Sequence, residues 1–262
     1  MMRYARLFGL FLKASFLVEL EYRANFAARA VVSLFWAGVT LTGAGVFYSH
    51  AETIGGWTFN EALVIIGLFT FMSGFIQTFL QPNVQRIIDM IRLGTLDFVL
   101  TKPVNSQFMA SLRHAQVFSM VDMLLGAVIV IWACMRLGYA PPVLSLAQFA
   151  LMLLMAVLIV YSIWMVIATL AFWLVKVNNM AELFTSVYDT GRFPVTTFDG
   201  LIRLVLTFVI PIAFITTFPA QSVLGRLDTE TVLMAVAMGG GMFGFSSLFW
   251  RYAVRSYSSA SS

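Results

Sequence analysis

The sequence predicts an all-α integral membrane protein with six transmembrane helices, an N-terminal interfacial helix and a short cytoplasmic helical insert between spans 2 and 3. Three observations carry this. The 262 residues are 60% hydrophobic and only 11% charged, against about 25% charged in a soluble domain. Six apolar runs approach the ~20 residues needed to cross a hydrocarbon core: Ala27 to Tyr48, Leu63 to Leu80, Val117 to Leu137, Leu146 to Val175, Leu201 to Phe218 and Val232 to Trp250. The cations are also unevenly spread. Of the 16 lysines and arginines, only Arg136 and Arg226 fall outside the termini and the segments that open the first span or follow the second and fourth. Positive charge collects on the cytoplasmic side of short loops, so both termini and the insert are expected in the cytoplasm.

The chain reads as one transmembrane domain over 1–262, with no repeat or linker. Residues 1–26 begin with Arg3 and Arg6 ahead of LFGLFL, as a signal peptide would, but Lys13, Glu19 and Glu21 interrupt the apolar run and no cleavage site follows. This segment is expected to lie in the membrane interface. A partner-binding arm is the alternative. Spans 1 and 2 occupy 27–80, the insert 81–116 and spans 3 to 6 117–252. Residues 253–262 form a Ser-rich tail expected to be disordered. In the outer loops, Tyr48, Trp57 and Tyr139 sit where an aromatic belt would.

The insert is the most structured stretch of the pattern. Val84, Ile87, Ile88 and Ile91 recur at helical spacing while Arg86, Asp89 and Arg92 point elsewhere, an amphipathic helix that Gly94 ends. Thr95 stands where a cap would open a short helix from Leu96 to Leu100, with Asp97 in its first turn. Pro103 stops it, and Asn105 or Ser106 can cap the next.

Here the residues carry a resemblance. GTLDFVLTKPVNSQF resembles the Gly-Thr-Leu-Glu, apolar, Pro pattern after the second span of ABC-2 type transporter permeases. FPVTTF with IRLVLTFVIPIAFITTFPAQSVLG resembles the fifth-span region of a six-span exporter subgroup, some of whose members are linked to export of viologens and other cationic drugs. The resemblance implies a permease of the bacterial inner membrane that pairs with itself or a similar permease and with two copies of an ABC ATP-binding subunit. ATP and Mg would be held on that partner, and no cofactor on this chain. It also implies a coupling helix built from Gly94, Thr95, Leu96, Asp97, Phe98, Leu100 and Pro103. Asp97 takes the place of the usual Glu. Leu96, Phe98 and Leu100 would supply outward apolar contact.

Span 5 has two readings. Hydropathy favours Leu201 to Phe218, despite Arg203 and Pro211; the resemblance favours a crossing at Met180 to Phe193 followed by a re-entrant hairpin. The first is preferred, because the second carries Glu182, Asp189 and Arg192 through lipid at roughly 2.5 to 3.5 kcal/mol each when unpaired.

Asp122 is the acidic residue well inside a confident span. It is a candidate cation contact or relay on a substrate path, or else a structural partner of Arg113. His50 and His114 lack ligands at metal spacing, and lone Cys134 can form no internal disulfide. No Gly-x-x-x-x-Gly-Lys-Ser/Thr, His-Glu-x-x-His or Gly-x-Ser-x-Gly motif occurs. Gly240 and Gly244 form a Gly-x-x-x-Gly pair that suits packing within the subunit or dimerisation. Two other functions stand against a permease: a membrane-embedded lipid-modifying enzyme using Asp122, Glu182 and Asp189, and a passive channel or assembly factor. The acids are scattered with no nucleophile between them, and a channel leaves the insert unexplained.

Overall fold

The computed structural model describes residues 2–20, 23–138, 141–174 and 176–257. Expectations for Glu21, Tyr139 and the tail from Ser258 lie outside those residues. Among the described residues there is no strand, and five helices are long and apolar enough to cross a membrane. The all-α membrane fold is therefore as expected.

The N-terminal helix α1 (Met2–Leu20) precedes α2 (Arg23–Ser49), the first crossing. A tight turn with Gly55 and Gly56 at positive φ leads to α3 (Phe59–Phe75). A π turn at Ile76–Leu80 joins α3 to α4 (Gln81–Arg92), so that one rod runs from Phe59 to Arg92. Two short helices, α5 (Asp97–Leu100) and α6 (Ser106–Ser111), lead into α7 (Met120–Arg136) and then α8 (Val143–Leu170). After α9 (Val177–Tyr188) come α10 (Gly200–Leu204), α11 (Ile212–Ile215) and α12 (Thr217–Val223), and α13 (Thr229–Ser256) closes the fold.

The π turn follows from Pro82. Without an N–H, Pro82 cannot donate to the carbonyl of Thr78 four residues back. That carbonyl instead accepts the Gln116 N–H at 2.9 Å. Beside it the fully buried Asn83 donates to the carbonyls of Phe79 (2.7 Å) and His114 (2.6 Å) and accepts the His114 N–H (3.0 Å). The segment ahead of α7 is thereby stitched to the rod.

α3 and α7 are antiparallel and meet backbone to backbone through glycines. A Cβ on Gly67 would lie 2.9 Å from the Gly126 carbonyl, and one on Gly74 would lie 2.5 Å from the Met123 nitrogen. In α13, by contrast, only Gly239 is packed, against Met155 of α8; Gly240, Gly241 and Gly244 face open space. The Gly-x-x-x-Gly pair is not used within the subunit.

The course of span 5 corrects the hydropathy reading. α8 ends near the last turns of α13, where Phe172 meets Trp250 and Trp173 stacks on Phe249. This is the end of the molecule that holds Gly94. Thr196, however, lies at the opposite end, accepting from the Trp57 indole at 3.1 Å and donating to the Gly55 carbonyl at 2.7 Å. The chain therefore crosses between Leu170 and Pro194, through α9 and the 3-10 turn Asp189–Arg192. Gly200–Val209 and Ile212–Val223 are bent by 60° against each other, and Arg226 just beyond them is paired with Glu61, back at the Gly55 end. Leu201 to Phe218 thus enters and returns as a hairpin. Its apolar run reflects burial: Ala213, Phe214 and Ile215 are fully enclosed, with α11 and α12 packed on α8. Arg192 and Arg203 leave the group of cations assigned to the Gly94 end.

α1 lies along this chain's own insert. Ser15 Oγ accepts the Ala115 N–H (3.1 Å), a Glu19 carboxylate oxygen accepts the Phe118 N–H (2.8 Å), and Tyr4 meets the Phe108 ring edge-on at 4.9 Å. Leu10, Leu17 and Val18 remain exposed.

The two kinds of glycine should separate on substitution. Gly126→Val forces a side chain into the α3 backbone and is expected to lower stability by about 1 to 3 kcal/mol or more. Gly240→Val should be neutral for the isolated subunit. Thermal unfolding of the two variants in detergent checks this.

Candidate functional site

The segment Gly94 to Pro103 is built by the end of α4. Gly94 adopts φ +66°, a left-handed conformation that only glycine enters without strain. Its N–H reaches the Ile91 carbonyl at 3.3 Å and the Thr95 N–H reaches that of Met90 at 2.9 Å, the paired closure of a Schellman motif. The chain then folds back so that Leu96 and Val99 enter the same core as Ile87, Ile88 and Met109. One helical turn follows, with the Val99 and Leu100 N–H groups on the Leu96 carbonyl at 2.8 and 3.1 Å. Pro103 is exposed, and its carbonyl accepts from Arg3 at 3.3 Å. Asn105 caps α6 through the Phe108 N–H at 3.0 Å, as expected.

Two expectations for this segment need correction. Leu96 is 0% exposed, so it anchors the turn and cannot be an outward contact. Thr95 does not cap α5 with its side chain; the helix begins one residue later, with Leu96 in the cap position. Leu100 is partly buried against the core, and Asp97 is partly buried in the first turn. The outward set consists of Phe98, 73% exposed, and Leu93, 72% exposed, with Thr101, Lys102 and Pro103 beside them. Leu93 was missed because it follows the amphipathic face by only two residues and nothing in the pattern marks it as outward.

His114, one residue beyond Arg113, sits beneath this turn. An Arg86 N–H lies 3.3 Å from its Nε2; arginine can only donate, so that nitrogen accepts and the ring is neutral. Burial, with the Arg86 and Arg113 charges, pushes its pKa down to about 4.

Deeper in the bundle, Asp122 is paired with Arg29 of α2 at 3.2 Å, not with Arg113. Gln77 of the rod accepts from the same guanidinium. These three line a cavity of about 370 Å³ with Asp189 and Arg192, themselves paired at 3.0 Å. The Arg192 guanidinium also lies 5.0 Å from the centre of the Phe69 ring. Two of the three charges that made the α9 crossing look costly thus satisfy each other. The Arg29–Asp122 contact joins residues 93 positions apart, and no local spacing announces it. No group of three or more His, Cys, Asp or Glu residues among the described residues could hold a metal ion.

A family model described as ABC-2 family transporter protein matches residues 34–261. The chain belongs to that family. It is a multi-pass membrane permease of an ABC transporter, a transport subunit whose family implies partnership with an ABC ATP-binding subunit. No curated protein and no solved structure matches this permease.

Two outcomes follow from the geometry. Asp122→Asn leaves Arg29 half-buried and uncompensated, and should cost on the order of 2 kcal/mol. The double variant Arg29→Gln/Asp122→Asn should recover most of that loss in a thermal-unfolding cycle. Between the usual 6.5 and about 4, an unfolded His114 takes up a proton that the folded one refuses. Stability should therefore fall as pH drops through that window, and His114→Gln should flatten the dependence.

Proposed function

We propose that this permease is the transmembrane subunit of an ATP-driven exporter, gripped by a separate ATPase at the turn from Leu93 to Pro103. One observation carries the reading: Phe98 stands out from a turn whose underside, Leu96 and Val99, is locked in the core. An exposed aromatic on a rigid mount is the form a docking anchor takes. ATP and Mg would be bound by the partner, of which two copies serve a pair of permeases, this chain with itself or a similar one.

The Gly94 end faces the cytoplasm in this reading. Arg3, Arg6, Lys13, Arg86, Arg92, Lys102, Arg113, Lys176, Arg251 and Arg255 lie in segments at that end, while Arg136, Arg226 and the hairpin's Arg203 lie toward the other. Such a bias in short loops sets orientation. In this reading the protein belongs to a bacterial cytoplasmic membrane, and the bias supports termini on the inner side. ATP-driven closure of the ATPases would push on Phe98, and the rod would carry that displacement to the spans. The exported compound in this reading is a small cationic or amphiphilic molecule, or a lipid.

The lipid-enzyme alternative gains nothing from the site. Asp122 is committed to Arg29 and Asp189 to Arg192, which leaves neither poised as an acid or base.

Phe98→Ala should leave folding intact and weaken ATPase copurification about thirtyfold, the effect of losing roughly 2 kcal/mol at an anchor. Leu96→Ala should instead destabilise the permease itself by about 2 to 5 kcal/mol. Wild-type transport and ATPase yield with Phe98→Ala would refute the docking surface. Single cysteines at Glu52 and Lys102, in a Cys134→Ala background, test orientation: only position 52 should label from outside.

A further inference from the structure

Two pairs of helices are each locked together: α3 with α7 through the glycine contacts, and α8 with α13 from Gly239 on Met155 to Trp250 beside Phe172. The pairs meet unevenly. Near the Gly94 end α8 packs on the rod at α4 and the π turn, while farther out α11 and α12 stand between α3 and α8. A cavity of about 410 Å³ lies in the seam between α4, α8 and α9, with Gln81 and Gln85 on one wall and a polar stripe of α9, including Glu182 and Asp189, on another. The angle between the two pairs therefore sets the volume there.

The insert is bonded to both pairs within a few residues. His114 and Gln116 are tied to the rod by Asn83 and the Thr78 carbonyl. α6, just before them, is tied to the other pair. Gln107 donates to the Tyr161 hydroxyl of α8 and to Ser247 Oγ of α13, both at 3.2 Å, so the two N–H bonds of one amide are spent on two helices. Ser111 Oγ lies 3.0 Å from the same Tyr161 hydroxyl, and the Trp250 indole donates to Ser106 Oγ at 3.2 Å. Gln107, Ser111 and Trp250 are 8%, 2% and 1% exposed. Apolar surfaces can slide over one another, whereas buried hydrogen bonds hold only over a narrow range of distance and angle and are costly to leave unmade. The junction thus fixes the orientation of α6 on the α8–α13 pair.

We propose that Ser106, Gln107 and Ser111 are positioning residues through which the insert turns the α8–α13 pair against the α3–α7 pair when the ATPase closes. The inference rests on the docking reading above and names how a displacement at Phe98 reaches the second pair. Only residues 101–105 separate α5 from α6, and Val99 of the one shares a core with Met109 and Ala110 of the other, so the turn and α6 move together. Without the hydrogen bonds α6 slips along α8, and the displacement stays in the rod. With them, a rotation of about 10° pivoting at the Gly94 end moves the far end of a ~30 Å span by roughly 5 Å.

The test uses the permease in complex with its ATP-binding subunit, spin-labelled at the exposed outer-end residues Met135 of α7 and Leu233 of α13 in a Cys134→Ala background. Electron–electron distance measurements compare the nucleotide-free complex with one trapped by ATP and vanadate. The wild-type distance should shift by several ångströms on trapping. Gln107→Leu with Tyr161→Phe, which removes three of the four hydrogen bonds, should retain the ATPase at wild-type yield and lose most of the shift. Met152→Ala, a core truncation in α8 outside the junction, should lower the unfolding temperature and keep the shift. An unshifted wild-type distance, a full shift in the junction variant, loss of the ATPase from that variant, or loss of the shift in Met152→Ala as well would each overturn the proposal. Failure of the docking reading is seen separately, as Phe98→Ala retaining the ATPase.

Discussion

The break in the rod at Pro82 sets how the rest of the molecule is held together. A helix that ran from Phe59 to Arg92 without interruption would offer its neighbours only side chains. Because Pro82 lacks an N–H, the Thr78 carbonyl is released and takes the Gln116 N–H, and Asn83 in the next turn binds both the N–H and the carbonyl of His114. These are buried polar contacts, each costly to leave unmade, at about 1 to 3 kcal/mol per unsatisfied group. They fix the segment ahead of α7 to the shaft that also ends in Gly94. The outward turn at Phe98 and the start of α7 are therefore parts of one body.

The charges inside the bundle obey the same logic. Arg29–Asp122, Arg192–Asp189 and Arg226–Glu61 each neutralise a group that lipid would penalise, and each touches the rod or α9. The first ties a largely exposed α2 to the rod and α7. The second makes a polar crossing helix tolerable. The third closes the hairpin back onto the start of α3. Polar pairs thus position the elements that apolar packing holds least.

Much of this was legible in the residues. Gly94 as the end of α4, Asn105 as a cap and the inward face of Val84, Ile87 and Ile88 all rest on local rules of spacing and backbone geometry, and the structure keeps them. What failed depends on contacts distant in sequence. Hydropathy adds transfer preferences residue by residue, so it took the hairpin's buried Phe214 and Ile215 for a span and passed over α9, whose charges are met by Arg192 pairing and by cavity. Leu96 reads as outward from its place in a short helix; only the fold-back after Gly94 sends it into the core. Arg29 and Asp122 lie in different apolar runs, and nothing in either names the other.

The packing also decides which elements can shift against which. α3 and α7 meet where Gly67, Gly74 and Gly126 leave no room for a single Cβ, so sliding one past the other would drive backbone into backbone. α8 and α13 are joined along their length, from Gly239 on Met155 to Trp250 beside Phe172. α9 is different. It crosses next to two cavities, with its polar stripe facing open volume and its firm contacts gathered near Phe184 and Tyr188. Tyr188 stacks on Phe69 at 4.9 Å and donates to the Phe69 carbonyl at 3.1 Å, a pivot on the rod itself. If the turn at Phe98 is the docking surface proposed above, a displacement there would pass through the rod to this pivot, and the volume lost or gained would be that of the cavities beside it. The element least like a membrane span in composition is therefore the one whose movement most directly changes what the interior can hold.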